Sequence, residues 1–198
     1  MQRNKRILTN AALTVLVALV ALTGAGAGLA GDATPGEPAS GTWAHHQAEF
    51  SYYGITALYS CDGLESNIRS LLIHLGARKD AKVSARGCPH GSSVPGHNAI
   101  VALDFYTLVP SATIGADAVQ ARWMPVTVSP THPYFMAQGD CELVDEMKDI
   151  ISKNFSLRDL RYRTDCVPHQ INIDGFSIKA QALKELPAVA KASGNGPN

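Results

Sequence analysis

Four cysteines constrain the fold of this 198-residue chain most, because they fall at matching places in two similar stretches. Each stretch is predicted to run strand, cysteine, helix, strand, cysteine. The stretches cover residues 53–88 and 121–166, and their cysteines are Cys61, Cys88, Cys141 and Cys166. The repeated order predicts two strand–helix–strand units within one domain.

Each unit contains one helix whose apolar residues recur at helical spacing. In the first helix they are Leu64, Ile68, Leu71, Leu72 and Leu75. Asp62 and Glu65 are arranged like a capping box at its start, and Gly76 is the expected stop. The second helix is predicted over 141–155, with Asp140 as its N-cap. Its apolar residues are Leu143, Met147, Ile150 and Ile151.

Strands are predicted where β-branched and aromatic residues cluster between turn signals. Their ranges are 50–59, 82–86, 99–109, 119–128 and 157–164. Pro125 favours an edge position or a bulge within the fourth range, because proline cannot donate to a sheet ladder. Further along, an Asp-Gly pair between 170–173 and 176–180 predicts a C-terminal β-hairpin. A terminal helix over 176–186 is the alternative.

These elements favour an α+β fold in which two helices cover one face of a mostly antiparallel sheet. The repeated order is that of a ferredoxin-like sandwich of two pseudo-repeated βαβ units, extended here by the C-terminal β-hairpin. A single domain is expected to span residues 43–186, with a linker over 31–42 and a flexible tail over 187–198.

The segment 1–30 is typical of a secretory signal peptide. Its positive start contains Arg3, Lys5 and Arg6. A mostly apolar run over 7–22 follows, and the small-x-small sequence at 28–30 fits a cleavage site. Cleavage at 25–27 and retention as an uncleaved anchor are the alternatives. The protein is therefore expected to be periplasmic or secreted, and to have no membrane attachment after cleavage.

Export would place the four cysteines in an oxidising compartment, where an even number usually forms disulfides. Within a βαβ unit, the helix start and the end of the second strand lie at the same edge of the sheet. This placement favours the pairs Cys61–Cys88 and Cys141–Cys166 over pairing between the units. A four-thiolate zinc site is a further alternative, although the chain lacks the close Cys-x-x-Cys pairs that such sites use.

The net charge gives no indication of a nucleic-acid partner. The full chain has 17 basic and 17 acidic side chains. Without the three basic residues of the signal peptide it has 14 basic and 17 acidic side chains, a net charge of −3. Nucleic-acid binding needs clustered Lys and Arg, which this chain does not show.

The first unit is similar in layout to heavy-metal-associated domains, which place cysteines between the first strand and the helix of a ferredoxin-like fold. The similarity covers residues 53–86. The loop reads Ser60-Cys61-Asp62-Gly63, with one cysteine where that family has a Cys-x-x-Cys pair. The resemblance therefore implies a shared topology, and copper binding by two thiolates is not carried over.

Histidines form the candidate metal site. His90 and His169 follow the second strand of the two units, and His97 and His132 lie in loops that could reach the same edge. Imidazoles bind Zn or Cu(II), so a metal-binding protein is one alternative. The competing interpretation is scattered, solvated loop histidines without any cofactor, because no close His spacing supports a site.

The sequence contains no recognisable catalytic motif. It lacks a Gly-x-Ser-x-Gly elbow, a Cys-x-x-Cys pair and a phosphate-binding glycine loop. The chain is therefore predicted to be an exported, non-catalytic binding or interaction module, whose partner is an unknown protein or small ligand. An exported hydrolase is a second alternative.

Overall fold

A computed structural model describes residues 36–89, 96–111, 117–167, 170 and 175–187. These residues all belong to one compact unit, which covers 33–198. The predicted signal peptide and most of the predicted tail lie outside the described residues. No helix in the described part of the chain is long and apolar enough to cross a membrane.

The described ranges form six strands and two α-helices. In order they are β1 Pro38–Tyr53, α1 Cys61–His74, β2 Lys82–Arg86, β3 Asn98–Pro110, β4 Val119–Val128, α2 Cys141–Asn154, β5 Leu157–Thr164 and β6 Phe176–Glu185. A 3₁₀ turn, Gln138–Asp140, leads into α2. The protein is therefore α+β, as the sequence predicts.

The six strands form one open sheet in the order β2-β3-β1-β4-β6-β5, and every paired neighbour is antiparallel. The two strands that flank each helix are not neighbours. In the first half β3 lies between β1 and β2, and in the second half β6 lies between β4 and β5. Each half thus has the order strand, helix, strand, strand, which is one strand more than the predicted βαβ unit.

The first strand begins earlier than predicted and also ends earlier, at Tyr53, so residues 54–59 of the predicted strand lie in the connection to α1. Because β1 starts at Pro38, residues 38–42 of the predicted linker belong to the sheet, and they include the ladder to β4. That ladder pairs Pro38–Gly41 with Val119–Arg122 and joins the two halves of the sheet. Pro125 lies beyond it, where the described partner of β4 is β6 alone. This one-sided pairing suits a residue that lacks an N–H donor.

The last strand, β6, includes the second segment of the predicted hairpin, 176–180, and excludes the terminal helix that was the alternative. Residues 176–185 form a strand, so the predicted terminal helix is wrong. β6 lies between β4 and β5 and pairs antiparallel with both. The strand that precedes β6 in the chain and pairs with it is β5. The proposed partner segment 170–173 falls mostly outside the described residues.

Both helices bury their predicted apolar stripes in one core cluster. Every residue of the first stripe is at most 1% exposed, and Leu143, Met147 and Ile151 of the second are equally buried. The cap of α1 differs from the prediction, because the Ser60 side chain accepts the N–H of Gly63. Glu65 instead accepts the N–H of Ala85, which occupies a donor on the edge strand β2 and protects that edge from pairing with another chain.

A smaller apolar cluster lies on the opposite face of the sheet. Side chains alternate between faces along a strand, so Trp43 of β1 faces away from the cluster that contains Phe50 and Tyr52. The fully buried members of the smaller cluster are Leu108, Ala121, Trp123 and Leu183. This second cluster surrounds the ladder that joins the two halves.

Candidate functional site

The four cysteines form the two bonds favoured by the sequence, Cys61–Cys88 and Cys141–Cys166. Cys61 and Cys141 are the first residues of α1 and α2. The two helix starts lie together, because the Tyr59 hydroxyl donates a hydrogen bond to the Asp140 carboxylate. The disulfides therefore flank one region in which the two halves of the chain meet.

Glu142 links these halves a second time. Its carboxylate accepts the N–H of Ile55 at 2.8 Å and the N–H and hydroxyl of Thr56 at 2.9 and 3.0 Å. The Tyr52 hydroxyl donates to Ala57 O at 2.6 Å in the same loop. Because Glu142 belongs to α2 and the loop precedes α1, these bonds hold the β1–α1 connection against the other half.

The candidate metal ligands are not brought together where the structure describes them. His97 lies near the start of α1, where its Nδ1 donates to Gly54 O at 3.1 Å. His132 lies at the other end, with its ring centroid 6.1 Å from that of His74, the last residue of α1. The 14 residues of α1 separate these ends by about 20 Å. His90 and His169 lie outside the described residues, and the described part contains no group of three potential metal ligands.

Two tryptophans occupy matching places in the two halves. Trp43 of β1 pairs with Leu108 of β3, and Trp123 of β4 pairs with Leu183 of β6. An arginine that follows each helix lies over each ring. The Arg78 guanidinium carbon is 5.7 Å from the Trp43 ring centre, and that of Arg158 is 3.8 Å from the Trp123 ring centre. Arg78 also stacks on Tyr106 at 3.7 Å.

The two tryptophan sites differ in how they are covered. Trp123 is only 4% exposed, because the start of the described chain runs beside it: the Gly36 N–H donates to Trp123 O, and the backbone N–H of Trp123 donates to Glu37 O. Glu37 also pairs with Arg158 at 3.3 Å. Trp43 remains partly exposed and lines an open cleft.

We call this the Trp43 cleft, and its volume is about 580 Å³. Its walls come from β1, the end of α1, the α1–β2 connection and the end of β6. The lining residues are Trp43, Ile73, Gly76, Ala77, Arg78, Lys79, Lys184, Glu185, Leu186 and Pro187. A volume in this range accommodates a small organic molecule.

Gly76 shapes the floor of the cleft. Its φ of +109° lies in the left-handed region, which terminates α1 and strongly favours glycine. A Cβ at this position would lie 3.1 Å from Leu183 O and 3.3 Å from Lys184 Cγ. The glycine therefore allows α1 to end directly against β6.

Positive charge dominates the lining of the cleft. Lys184 is partly buried, and burial lowers its pKa. Its ammonium group donates to His74 O at 2.5 Å. Arg78 binds both oxygens of Asp80, at 2.8 and 2.7 Å, while Lys79 is exposed to solvent. The lining thus combines an aromatic wall with three basic side chains and one acidic side chain, Glu185.

Two more open depressions lie along β1, β2 and β3. Their volumes are about 460 and 300 Å³. The larger has a polar rim that includes Gln47, Glu49, Lys82 and Asp104. Neither depression combines an aromatic wall with a partly buried charge, which is what distinguishes the Trp43 cleft.

The chemistry that the Trp43 cleft offers is stacking, apolar contact and ion pairing. Its described lining residues include no hydroxyl, thiol or imidazole side chain. Comparison with known proteins adds no family: no protein-family model matches the chain, and no curated protein or solved structure is significantly similar to it.

None of the sequence motifs predicts the residues of this cleft. A signal was nevertheless present, because the interval in the sequence from Trp43 to Trp123 is the same as that from Arg78 to Arg158. The interval from Cys61 to Cys141 is also the same. The cysteines mark the repeated units, whereas the repeated Trp and Arg positions include two residues that line the cleft, Trp43 and Arg78.

Proposed function

We propose that the protein is an exported, disulfide-stabilised binding module whose ligand occupies the Trp43 cleft. The observation that carries this proposal is the difference between the two tryptophan sites. Trp123 is covered by the start of the described chain, whereas the matching Trp43 lines an open cleft beside the partly buried Lys184. Concave sites that combine apolar walls with a few polar groups are the usual binding sites for small molecules.

Export is supported by the predicted signal peptide and by the two disulfides, which persist in oxidising compartments. Expression of the full chain with the segment 1–30, followed by fractionation, tests this part. The expected product is found outside the cytoplasm, lacks the predicted signal peptide by mass and has no thiol that reacts with iodoacetamide under denaturing conditions. A full-length product with four reactive thiols would contradict it.

Binding is tested by the fluorescence of Trp43 alone. In a Trp123→Phe variant, Trp43 is the remaining tryptophan, since the sequence has two. Titration with benzoate, benzamide, benzylamine and hexanoate is expected to give a saturable change with at least one of these probes. The matched Trp43→Phe variant, which keeps Trp123, should show none. Equal responses from both variants, or none from either, would overturn the proposal.

We also propose that the two halves are copies of one structural unit, related to the predicted ferredoxin-like repeat by an added strand. The support is that three residues of the first half recur in the second half at the same sequence interval. These pairs are Cys61 and Cys141, Trp43 and Trp123, and Arg78 and Arg158. The symmetric strand order β2-β3-β1 followed by β4-β6-β5 supports the same proposal. On this interpretation Trp43 and Trp123 are equivalent positions of the two copies, and only the site at Trp43 is open to solvent.

A further inference from the structure

The Lys184 ammonium group donates a hydrogen bond to the end of α1 and has further protons that it can donate. The last four carbonyl groups of a helix lack intrahelical partners, and here each one has a donor. Leu75, Gly76 and Ala77 donate to the carbonyls of Leu71, Ile73 and Leu72, and Lys184 donates to that of His74. An ammonium group carries three protons, so Lys184 has two donors beyond the one that caps the helix.

The charge around these donors is not balanced. The described lining of the cleft carries the positive charges of Arg78, Lys79 and Lys184 and the negative charge of Glu185. Asp80 neutralises Arg78 through two hydrogen bonds, and no ion pair joins Lys79, Lys184 or Glu185 to another described residue. A partly buried ammonium group beside an open cleft is stabilised by an anion that replaces its lost hydration.

The apolar wall lies next to this charge. Trp43 and Ile73 line the cleft, and Leu186 and Pro187, which follow β6, add further apolar surface to its lining. The Arg78 guanidinium is held over Tyr106 by stacking and by Asp80, so it keeps the wall beside Trp43 in place. An indole ring of this kind offers a flat surface for stacking with another planar ring.

We propose that the ligand of the Trp43 cleft is a small organic acid with a flat apolar body, whose acidic group binds Lys184 and whose body stacks on Trp43. This inference rests on the proposed binding function and adds the charge and shape of the ligand. Lys79, at the exposed rim of the cleft, also attracts the acidic group of the ligand. Its contribution to the binding free energy is smaller than that of Lys184, because solvent screens its charge.

The test compares two probes of equal shape and different charge. Binding of 4-(trifluoromethyl)benzoate and of its neutral amide is measured by ¹⁹F NMR with the intact domain. The acid is expected to bind about tenfold more tightly than the amide, because hydrogen bonds to charged groups are the stronger ones. The preference should shrink as salt is added, because ions screen the charges.

Lys184→Met should remove most of this preference, and Lys179→Met is the matched control. Lys179 is an exposed lysine of the same strand, outside the cleft. If Lys184→Met fails to fold, Lys79→Met gives a second measurement, because Lys79 is exposed and its loss should lower the acid affinity by a smaller factor. In every variant the affinity for the neutral amide is the reference, because a change in the shape of the cleft would change the affinities for both probes.

The outcomes separate this inference from the proposed function. If the amide binds as tightly as the acid, the ligand class is wrong, while a cleft that binds flat neutral molecules remains. If an acid preference is present but unchanged by Lys184→Met and Lys79→Met, the charge does not come from this cleft and the inference is also overturned. If neither probe binds, and the four-probe titration is negative, both proposals fail together.

Discussion

The Tyr59 hydroxyl donates a hydrogen bond to the buried Asp140 carboxylate, and this bond joins the residues that precede the two helices. Asp140 is 2% exposed and also accepts the N–H of Ala137 at 2.6 Å. Burial raises the pKa of its carboxyl group, while the two hydrogen bonds act in the opposite direction. A titratable contact thus lies where the two halves meet.

This contact predicts a pH-dependent stability. Because the native pKa of Asp140 lies above its ordinary value of 3.8, the native state holds its proton more tightly than the unfolded state. The free energy of unfolding should therefore fall as the pH rises from 3.8 through the raised native pKa. Asp140→Asn removes the titration, keeps one oxygen to accept the Ala137 N–H and can donate its amide N–H to the Tyr59 hydroxyl. Urea unfolding at a series of acidic pH values should therefore show the difference. Parallel pH profiles for the two proteins would contradict this assignment.

Glu142 should control the order of the β1–α1 connection. Glu142→Ala leaves the N–H groups of Ile55 and Thr56 without their acceptor and is expected to cost about 1–3 kcal/mol of unfolding free energy. Amide exchange at these two residues should accelerate in particular. Glu146→Ala, on an exposed position of the same helix, is the control and should change neither quantity much. Equal effects of the two substitutions would show that Glu142 does not anchor this loop.

Each disulfide should stabilise the fold mainly by restricting the unfolded chain. The bonds close segments with sequence separations of 27 and 25 residues. The loop-entropy description gives about 3 kcal/mol for each. Cys61→Ser with Cys88→Ser, and the equivalent pair at 141 and 166, should lower the unfolding free energy by similar amounts in guanidinium titrations. A decrease in unfolding free energy for only one of the two cysteine pairs would contradict the prediction that both disulfides stabilise the fold equally.

The two tryptophans should differ in their contribution to stability. Trp123 is nearly fully buried between the halves, so Trp123→Ala is expected to cost about 3–5 kcal/mol. Trp43 is partly exposed in the cleft, and Trp43→Ala should cost clearly less. Thermal and chemical unfolding of the two variants measure this difference. Similar losses would indicate that Trp43 is an ordinary core residue, which would weaken the case for a binding cleft.

The helices and most strands were predictable because their signals are local. The stripe from Leu64 to Leu75 specifies α1 by its own spacing, and the ranges 82–86 and 157–164 match β2 and β5. Strand order was not predictable in this way, because the insertion of β3 between β1 and β2 depends on long-range pairing that no local pattern encodes. The start of β1 is not predictable from local pattern, because Pro38 and Gly41 resemble a linker until β4 provides a pairing partner.

The candidate site was harder to predict for the same reason. Lys184 was an unremarkable residue of a C-terminal segment, and its position depends on the contact between β6 and the end of α1. Trp43 and Arg78 are distant in the sequence and meet only when β1 and the α1–β2 connection are assembled. The cysteine pairs, by contrast, followed from the prediction of helix and strand ends within each unit.

The most direct measurement is an NMR titration that observes both indole N–H groups of ¹⁵N-labelled protein. Trp43 lines the cleft and Trp123 is buried in the matching site, so the second indole is an internal control. Addition of 4-(trifluoromethyl)benzoate should shift the Trp43 indole signal and the Gly76 amide signal saturably, with a common affinity, and leave the Trp123 indole signal unchanged. Saturable shifts that avoid Trp43 and Gly76, or no saturable shift anywhere in the protein, would contradict the assignment of the Trp43 cleft as the binding site.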